Sequence, residues 1–374
     1  MADNPSRTGQ LDALGPADGV AGHPLVAAAA ALAEDLLAPG AEAVDQSGVP
    51  ATHLAAVGAA GLLAPTAAAE FGGGGAPAAV GRAVSEQLAG ACGSTWFVAT
   101  QHGTPVRTLA ASANLELRRQ WLRPLASGSA LAGIALAHLR RPGSPAVTGI
   151  PVPGGWAVSG HVPWLTSWGL ADVVLLGFRA GSDVVFALVP AADQPGLVAG
   201  ELLPLAAMQA ARTVPVRLES YLVADGQVAE RVPYEEWAAR DAAATGNVTP
   251  AVFGLLRAVL ARMVTEGQRR HETSTVALAE RLQAEASELR TAAYALIDGT
   301  PAGERMTERL EIRGAALELV TVATAGLVAA GAGGSMSLRH PAQRWAREGL
   351  FHLIQAQTPA VRAATLERFA ARRG

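Results

Sequence analysis

The apolar pattern of this chain changes period twice, and that limits the fold more than any single residue does. Over residues 24–128 apolar side chains recur at helical spacing. Over 130–232 they fall in short runs: LAGIALAHL, GGWAVSGHV, ADVVLLGF, DVVFALVP, GLVAGELLP, VPVRLESYLV and GQVAERV. Gly, Pro, Asp and Ser separate these runs, as they separate strands. From 235 helical spacing returns in long segments: 250–271, 275–297, 303–330, 341–356 and 359–372. The expected class is α+β, mostly α. An N-terminal helical domain (1–128) leads to a central small β-barrel or sandwich (129–234). A C-terminal antiparallel bundle of the four-helix type (235–374) follows. Pro24 suits a first helical position, where its missing N–H has no partner to lose. A helix is expected over 52–60, stopped by Gly61, and Asn114 is the expected N-cap of the next-to-β helix.

Composition narrows the chemistry. Of 374 residues, 50% are hydrophobic and 16% charged, which excludes a disordered chain and allows a large core. The net charge of −3 gives no electrostatic case for nucleic acid or an anionic membrane as partner. All 29 basic residues are Arg, so lysine chemistry is excluded: Schiff bases, pyridoxal phosphate and the P-loop amine. The single cysteine, Cys92, excludes an intrachain disulfide, a CxxC pair, a multi-cysteine zinc site and an Fe–S cluster. Closing a helical run, it reads as buried filler. The first twenty residues are polar and lack the apolar core of a secretory signal. The apolar stretch 319–334 is short for a membrane span and rich in Ala and Gly, so it reads as a buried helix. The expectation is a cytoplasmic protein with no membrane partner and no metal site. What remains open is small-molecule chemistry with a borrowed organic cofactor.

Several stretches carry a resemblance. GLLAPTAAAEFGGGG (61–75), GGWAVSGHVPWLTSWGLADVVLLGF (154–178) and HPAQRWAREGLFHLIQAQTPAVR (340–362), in this order, resemble the acyl-CoA dehydrogenase superfamily. They match its helix-to-loop segment, central β hairpin and C-terminal helix with the turn after it. The resemblance implies FAD. In WLTS, Trp164 would wall the flavin, with the Thr166 hydroxyl and Ser167 beside it. An aromatic wall and a hydroxyl near a redox nitrogen make physical sense unaided. Ala137 holds the place of the family's Thr-Glu-Pro strand end, where backbone groups meet the flavin. Ser144 would touch the substrate arm, and Arg140, with Arg141, would pair with a phosphate of a thioester substrate or of reduced flavin. Arg270, or its neighbour Arg269, stands near the family's distal FAD arginine, and Thr358 matches its flavin-contacting Thr.

The family's base, a Glu nine residues after an Arg, is absent. Counting from Arg347 arrives at Ala356, flanked by Gln355 and Gln357. Asp241, near the place of an alternative base, reads as a helix-start residue. His352, one helical turn before Ala356 and able to share its face, is the first substitute, with His102 the second and Gln355 a substrate contact. Three functions stay open. One is α,β-dehydrogenation of an acyl thioester, carried by CoA or a carrier protein, with a non-standard base. The second is the family's two-component monooxygenase reaction, with reduced FMN or FAD supplied by a reductase, and O2. The third is a flavin- or acyl-binding protein without turnover. The resemblance also implies a homodimer or homotetramer and a flavin reductase or electron acceptor as partner.

Overall fold

The computed structural model describes residues 14, 15 and 18–371, so the opening segment read for a targeting signal lies largely outside the described residues. Among the described residues seven α-helices precede the strands: α1 (Asp18–Ala21), α2 (Pro24–Leu32), α3 (Ala41–Ser47), α4 (Ala51–Ala59), α5 (Ala78–Ala91), α6 (Gly93–Ala111) and α7 (Leu115–Ala126). Eight strands follow: β1 (Ala132–Ala135), β2 (Val147–Val152), β3 (Gly155–Leu165), β4 (Val173–Ala180), β5 (Asp183–Pro190), β6 (Leu197–Ala199), β7 (Val214–Ala224) and β8 (Val228–Pro233). The chain ends in α8 (Tyr234–Thr245), α9 (Pro250–Arg270), α10 (Thr273–Gly299), α11 (Met306–Gly331), α12 (Pro341–His352) and α13 (Pro359–Ala371). Helical residues, 3-10 and π turns included, make up 59% of the described residues. Pro24 opens α2 and Asn114 caps α7, its side chain accepting from the Leu117 N–H at 3.1 Å.

The elements run in the expected order of N-terminal helices, central sheet and C-terminal helices, and their contacts group into two compact units. The sheet unit holds 44–81 and 94–239; the helical unit holds the chain up to Ala43, 82–93 and 240–374. In the sheet unit all eight strands form one sheet in the order β6-β7-β3-β2-β4-β5-β8, with β1 parallel to β4. The runs VVLLGF and DVVFALV are apolar at every step because β4 and β5 are covered on both faces. Val173, Leu175, Phe186 and Leu188 pack with Leu109 of α6 and Leu122 of α7. Val174, Leu176 and Phe178 pack with Val158 and Val162 of β3 and Val216 of β7. Strand β7 is not bonded to β4 or β5 yet shares a core with both, so the sheet curls back on itself as a barrel or sandwich does.

Four local readings need correction. Segment 154–178 is not a hairpin: β3 pairs with β2 and β7, and β2 lies between β3 and β4. The real hairpin is β2–β3, closed at Gly154 with φ 80°, a conformation that favours glycine. Strand β2 escapes the sequence pattern because Gly149 and Pro151 interrupt its apolar alternation. Asp241 does not start a helix, since it lies in the last turns of α8. Finally, α12 stops at His352, four residues short of the expected end, and Ala356 has φ 48°. The apolar residues that extend the pattern there, Leu350 and Ile354, are 57% and 65% exposed and pull no helix onto a core. Pro359, opening α13, also disfavours helix at the residue before it.

The helical unit is built on α9, α10 and α11. Leu256, Val259, Leu260 and Met263 of α9 share one core with Leu282 of α10, Leu319, Val320 and Leu327 of α11, and Trp345 of α12. The stretch 319–334 lies mostly in α11 and buries its apolar face there. Stretches Tyr234–Arg270 and Met306–Met336 have the length and hydropathy of membrane-spanning helices, and bury 61% and 50% of their most apolar windows. Helix α5 joins this unit by close approach: a Cβ on Gly254 would sit 2.2 Å from the Glu86 carbonyl oxygen. The buried Glu86 carboxylate then accepts from Arg290 Nε at 2.8 Å, Arg290 Nη2 at 3.0 Å and Tyr294 Oη at 2.5 Å. A buried charge needs such partners.

Candidate functional site

In the sheet unit, WLTS runs off the end of β3. Side chains alternate along a strand, and here the alternation turns Leu165 into the core and leaves Trp164 46% exposed. Thr166 is buried, its Oγ1 3.1 Å from Thr213 Oγ1, a hydroxyl pair tying the end of β3 to the start of β7. Ser167 adopts φ 73°, fixed by its N–H donating to the Ala211 carbonyl at 2.9 Å. The Ser167 hydroxyl is fully buried and has no hydrogen-bond partner. A buried unpaired hydroxyl is costly and calls for an explanation, such as a ligand. The end of β3 thus carries a half-exposed indole followed, two and three residues on, by two buried hydroxyls. Thr213 has no sequence signature, because only the β3–β7 pairing brings it to Thr166.

The other expected sheet-unit contacts lie nearby in sequence. Ala137 is exposed at the start of a 3-10 turn, Ala137–Arg140, that follows β1. Arg140 is half-buried, and Ser144 lies exposed in the loop before β2. Between them His138 is buried and donates from Nε2 to the Gly177 carbonyl at 2.8 Å. Burial, only partly offset by that bond and reinforced by Arg141, pushes its pKa down to about 4. It is neutral at pH 7.

His102 is not a free imidazole. It is buried in α6, Nε2 donates to the Leu125 carbonyl at 2.8 Å, and Nδ1 accepts from the Ala132 N–H at 3.0 Å. Both nitrogens are committed to backbone, which fixes one neutral tautomer and ties α6, α7 and β1 together. Burial holds its pKa below the ordinary value. The catalytic expectation for His102 is therefore replaced by a structural one.

In the helical unit, His352, Gln355 and Thr358 share the turn between α12 and α13. His352 is 2% exposed, with Nδ1 3.3 Å from Gln355 Oε1. If Nδ1–H donates to that oxygen, the lone pair of the neutral ring lies on Nε2. Burial, opposed by Gln355 and assisted by the Arg313 charge, brings its pKa down to about 4. The shared helix face with Ala356 is lost, because the helix ends at His352 itself. Thr358 is used by the fold: its Oγ1 accepts from the Val361 N–H at 3.3 Å, capping α13. Arg270 is used likewise. Its Nη1 donates to the Ala330 carbonyl at 2.9 Å and its Nη2 to Gly331 at 3.2 Å, satisfying carbonyls at the end of α11. Arg309 and Arg313 of α11 were not anticipated; two arginines four apart in an apolar helix were the available signal.

Residues 23–129 match the family of acyl-CoA dehydrogenase N-terminal domains. The fold agrees along the whole chain. Butyryl-CoA dehydrogenase from Megasphaera elsdenii superposes with a TM-score of 0.77 at 15% identity, covering 99% of this chain and 100% of that one. Residues 23–129 carry the N-terminal domain of that family, and the chain as a whole has the acyl-CoA dehydrogenase fold. A glutaryl-CoA dehydrogenase from Mycobacterium smegmatis, solved in complex with FADH2, gives 0.76 at 16% identity, covering 93% of this chain and 94% of that one. A protein for biosynthesis of the methoxymalonyl extender unit of the polyketide Fk520 gives 0.75 at 21% identity, covering 91% and 99%. The sequence matches no curated protein.

Proposed function

We propose that this chain is a flavin-dependent oxidoreductase of the acyl-CoA dehydrogenase type, acting on an acyl thioester. The observation that carries the reading is the half-exposed Trp164, three residues before the buried, unpartnered Ser167 hydroxyl. Both features fit a flat, polar-edged ring: an indole face excludes water from it and a hydroxyl finds its missing partner. Trp164, Thr166, Ser167 and the backbone at Ala137 are the residues that would hold a flavin. When bound, a flavin supplies hydride acceptance.

Removal of the proton α to the thioester carbonyl is assigned to His352. Ala356, in the place of a carboxylate, has no basic group. His352 is held unprotonated at pH 7 by burial, so a base in the reactive form stands one turn of chain away. Gln355, accepting from Nδ1–H, orients the ring so that Nε2 carries the lone pair. Ser144 and Arg140 remain the proposed contacts for the carrier arm of the thioester.

One observation favours a second reading. Arg270, expected at the distal part of FAD, is spent on the carbonyls of Ala330 and Gly331. Together with the missing carboxylate this suits an exchangeable reduced flavin, delivered by a reductase and used with O2. Anaerobic mixing of the flavin-loaded protein with acyl-CoA and carrier-protein thioesters separates the two. Bleaching of the flavin absorbance supports dehydrogenation. No bleaching, with substrate-dependent O2 uptake when reduced flavin is supplied, replaces it by oxygenation. His352→Ala is expected to lower turnover by about tenfold or more with flavin still bound.

A further inference from the structure

Helix α11 buries two arginines one turn apart, Arg309 at 3% and Arg313 at 5% exposure. Both are aimed mainly at main-chain oxygens in helix ends and the segments that connect them. Arg309 donates from Nε to the Glu304 carbonyl at 2.8 Å and from Nη1 to Asn247 Oδ1 at 2.6 Å. Its Nη2 reaches the carbonyls of Leu296, Thr300 and Pro301. Arg313 donates from Nη1 to the carbonyls of Thr245 and Asn247. Its Nη2 donates to the Gln355 carbonyl at 2.7 Å. Thus Arg309 gathers the α10–α11 connection, whereas Arg313 joins the α8–α9 linker to the α12–α13 turn.

The turn needs such a hold. Its backbone bonds are short-range, Gln355 N–H to the Phe351 carbonyl and Gln357 N–H to Ile354. Ala356 sits at φ 48°, a conformation that disfavours an L side chain. The oxygen that Arg313 takes belongs to the peptide joining Gln355 to Ala356. A planar guanidinium bonded to two segments at once fixes that peptide plane as a single point charge could not.

We propose that Arg313 is the positioning residue of the His352–Gln355 pair: by holding the Gln355 carbonyl against the α8–α9 linker, it sets the Gln355–Ala356 peptide and thereby aims Gln355 Oε1 at His352 Nδ1. The role of that pair in proton transfer rests on the functional reading above; the positioning itself does not. The Arg313 charge also acts in the same sense as burial in keeping His352 unprotonated.

The test compares Arg313→Met and Arg313→Lys with Arg309→Met, following hydrogen exchange at the Gln355 and Gln357 amides in the full chain. Both Arg313 variants are expected to exchange there at least about tenfold faster than the parent, with Arg309→Met at the parent rate. Parent-like protection of these amides in a folded Arg313 variant overturns the proposal. Arg313→Lys keeps the buried charge, so it answers the question where Arg313→Met does not fold. Turnover is expected to fall through kcat with KM little changed. Flavin titration is read separately: a parent that binds no flavin sinks the oxidoreductase reading and leaves the exchange result standing.

Discussion

The two units treat their polar groups differently. In the sheet unit, two residues expected to meet a cofactor keep spare capacity, Trp164 half exposed and the buried Ser167 hydroxyl unpaired, whereas Thr166 is paired with Thr213. In the helical unit, residues expected in the same role are already bonded to their own fold, Arg270 to the end of α11 and Thr358 to the start of α13. The lesson is that spacing locates a side chain but does not say whether its hydrogen bonds are spare. Long helices leave many terminal carbonyls and N–H groups to satisfy, and in a chain without lysine the arginines do that work.

This contrast can be broken most forcefully at Glu86. Its carboxylate is buried with three donors, so Glu86→Ala leaves Arg290 and Tyr294 unpaired inside the helical unit. The expected loss is about 3–5 kcal/mol by urea denaturation; a loss below about 1 kcal/mol contradicts the view that this unit spends its polar groups on structure. Acidification comes next. His138 and His352 have folded-state pKa values near 4, against 6.5 when unfolded. The unfolded chain therefore binds protons first, and stability is full above about pH 6.5 and lost as pH falls toward 4. Each shift corresponds to roughly 3 kcal/mol. His138→Leu should flatten part of this slope relative to the parent in urea titrations at pH 7, 5.5 and 4, and an unchanged slope counts against a neutral buried His138.

Smaller effects sharpen the comparison. His102→Ala removes two bonds to buried backbone groups, and about 1–3 kcal/mol of stability should go with them, without weakening flavin binding. Weakened flavin binding at unchanged stability would return His102 to the site. Trp164→Ala is expected to change stability by less than about 1 kcal/mol, since its ring is half in solvent, while flavin affinity falls. The reverse pattern assigns Trp164 to packing.

Much of the architecture is legible in the sequence because period survives local noise. The doubly buried runs of β4 and β5, the capping Asn114 and the long helices α9–α11 all announce themselves. Failures occur where a local signal and a tertiary fact part company. Leu350 and Ile354 continue a helical pattern with no core to receive it, so α12 is read too long. Gly149 and Pro151 hide β2 inside a punctuated loop. At the site, WLTS is visible as a motif, but Thr213 enters through strand pairing and Arg313 through helix packing. Neither partner has a signature near the residue it serves.

The central claim is that the open face at Trp164 is a flavin site, and equilibrium titration with oxidised and reduced flavin tests it most directly, comparing the parent with Trp164→Ala. Saturable quenching of flavin fluorescence by the parent, with affinity reduced at least about tenfold in Trp164→Ala, is the expected result; one lost stacking contact is worth about that factor. Equal affinity in the two proteins, or no binding of either redox form by the parent, contradicts it.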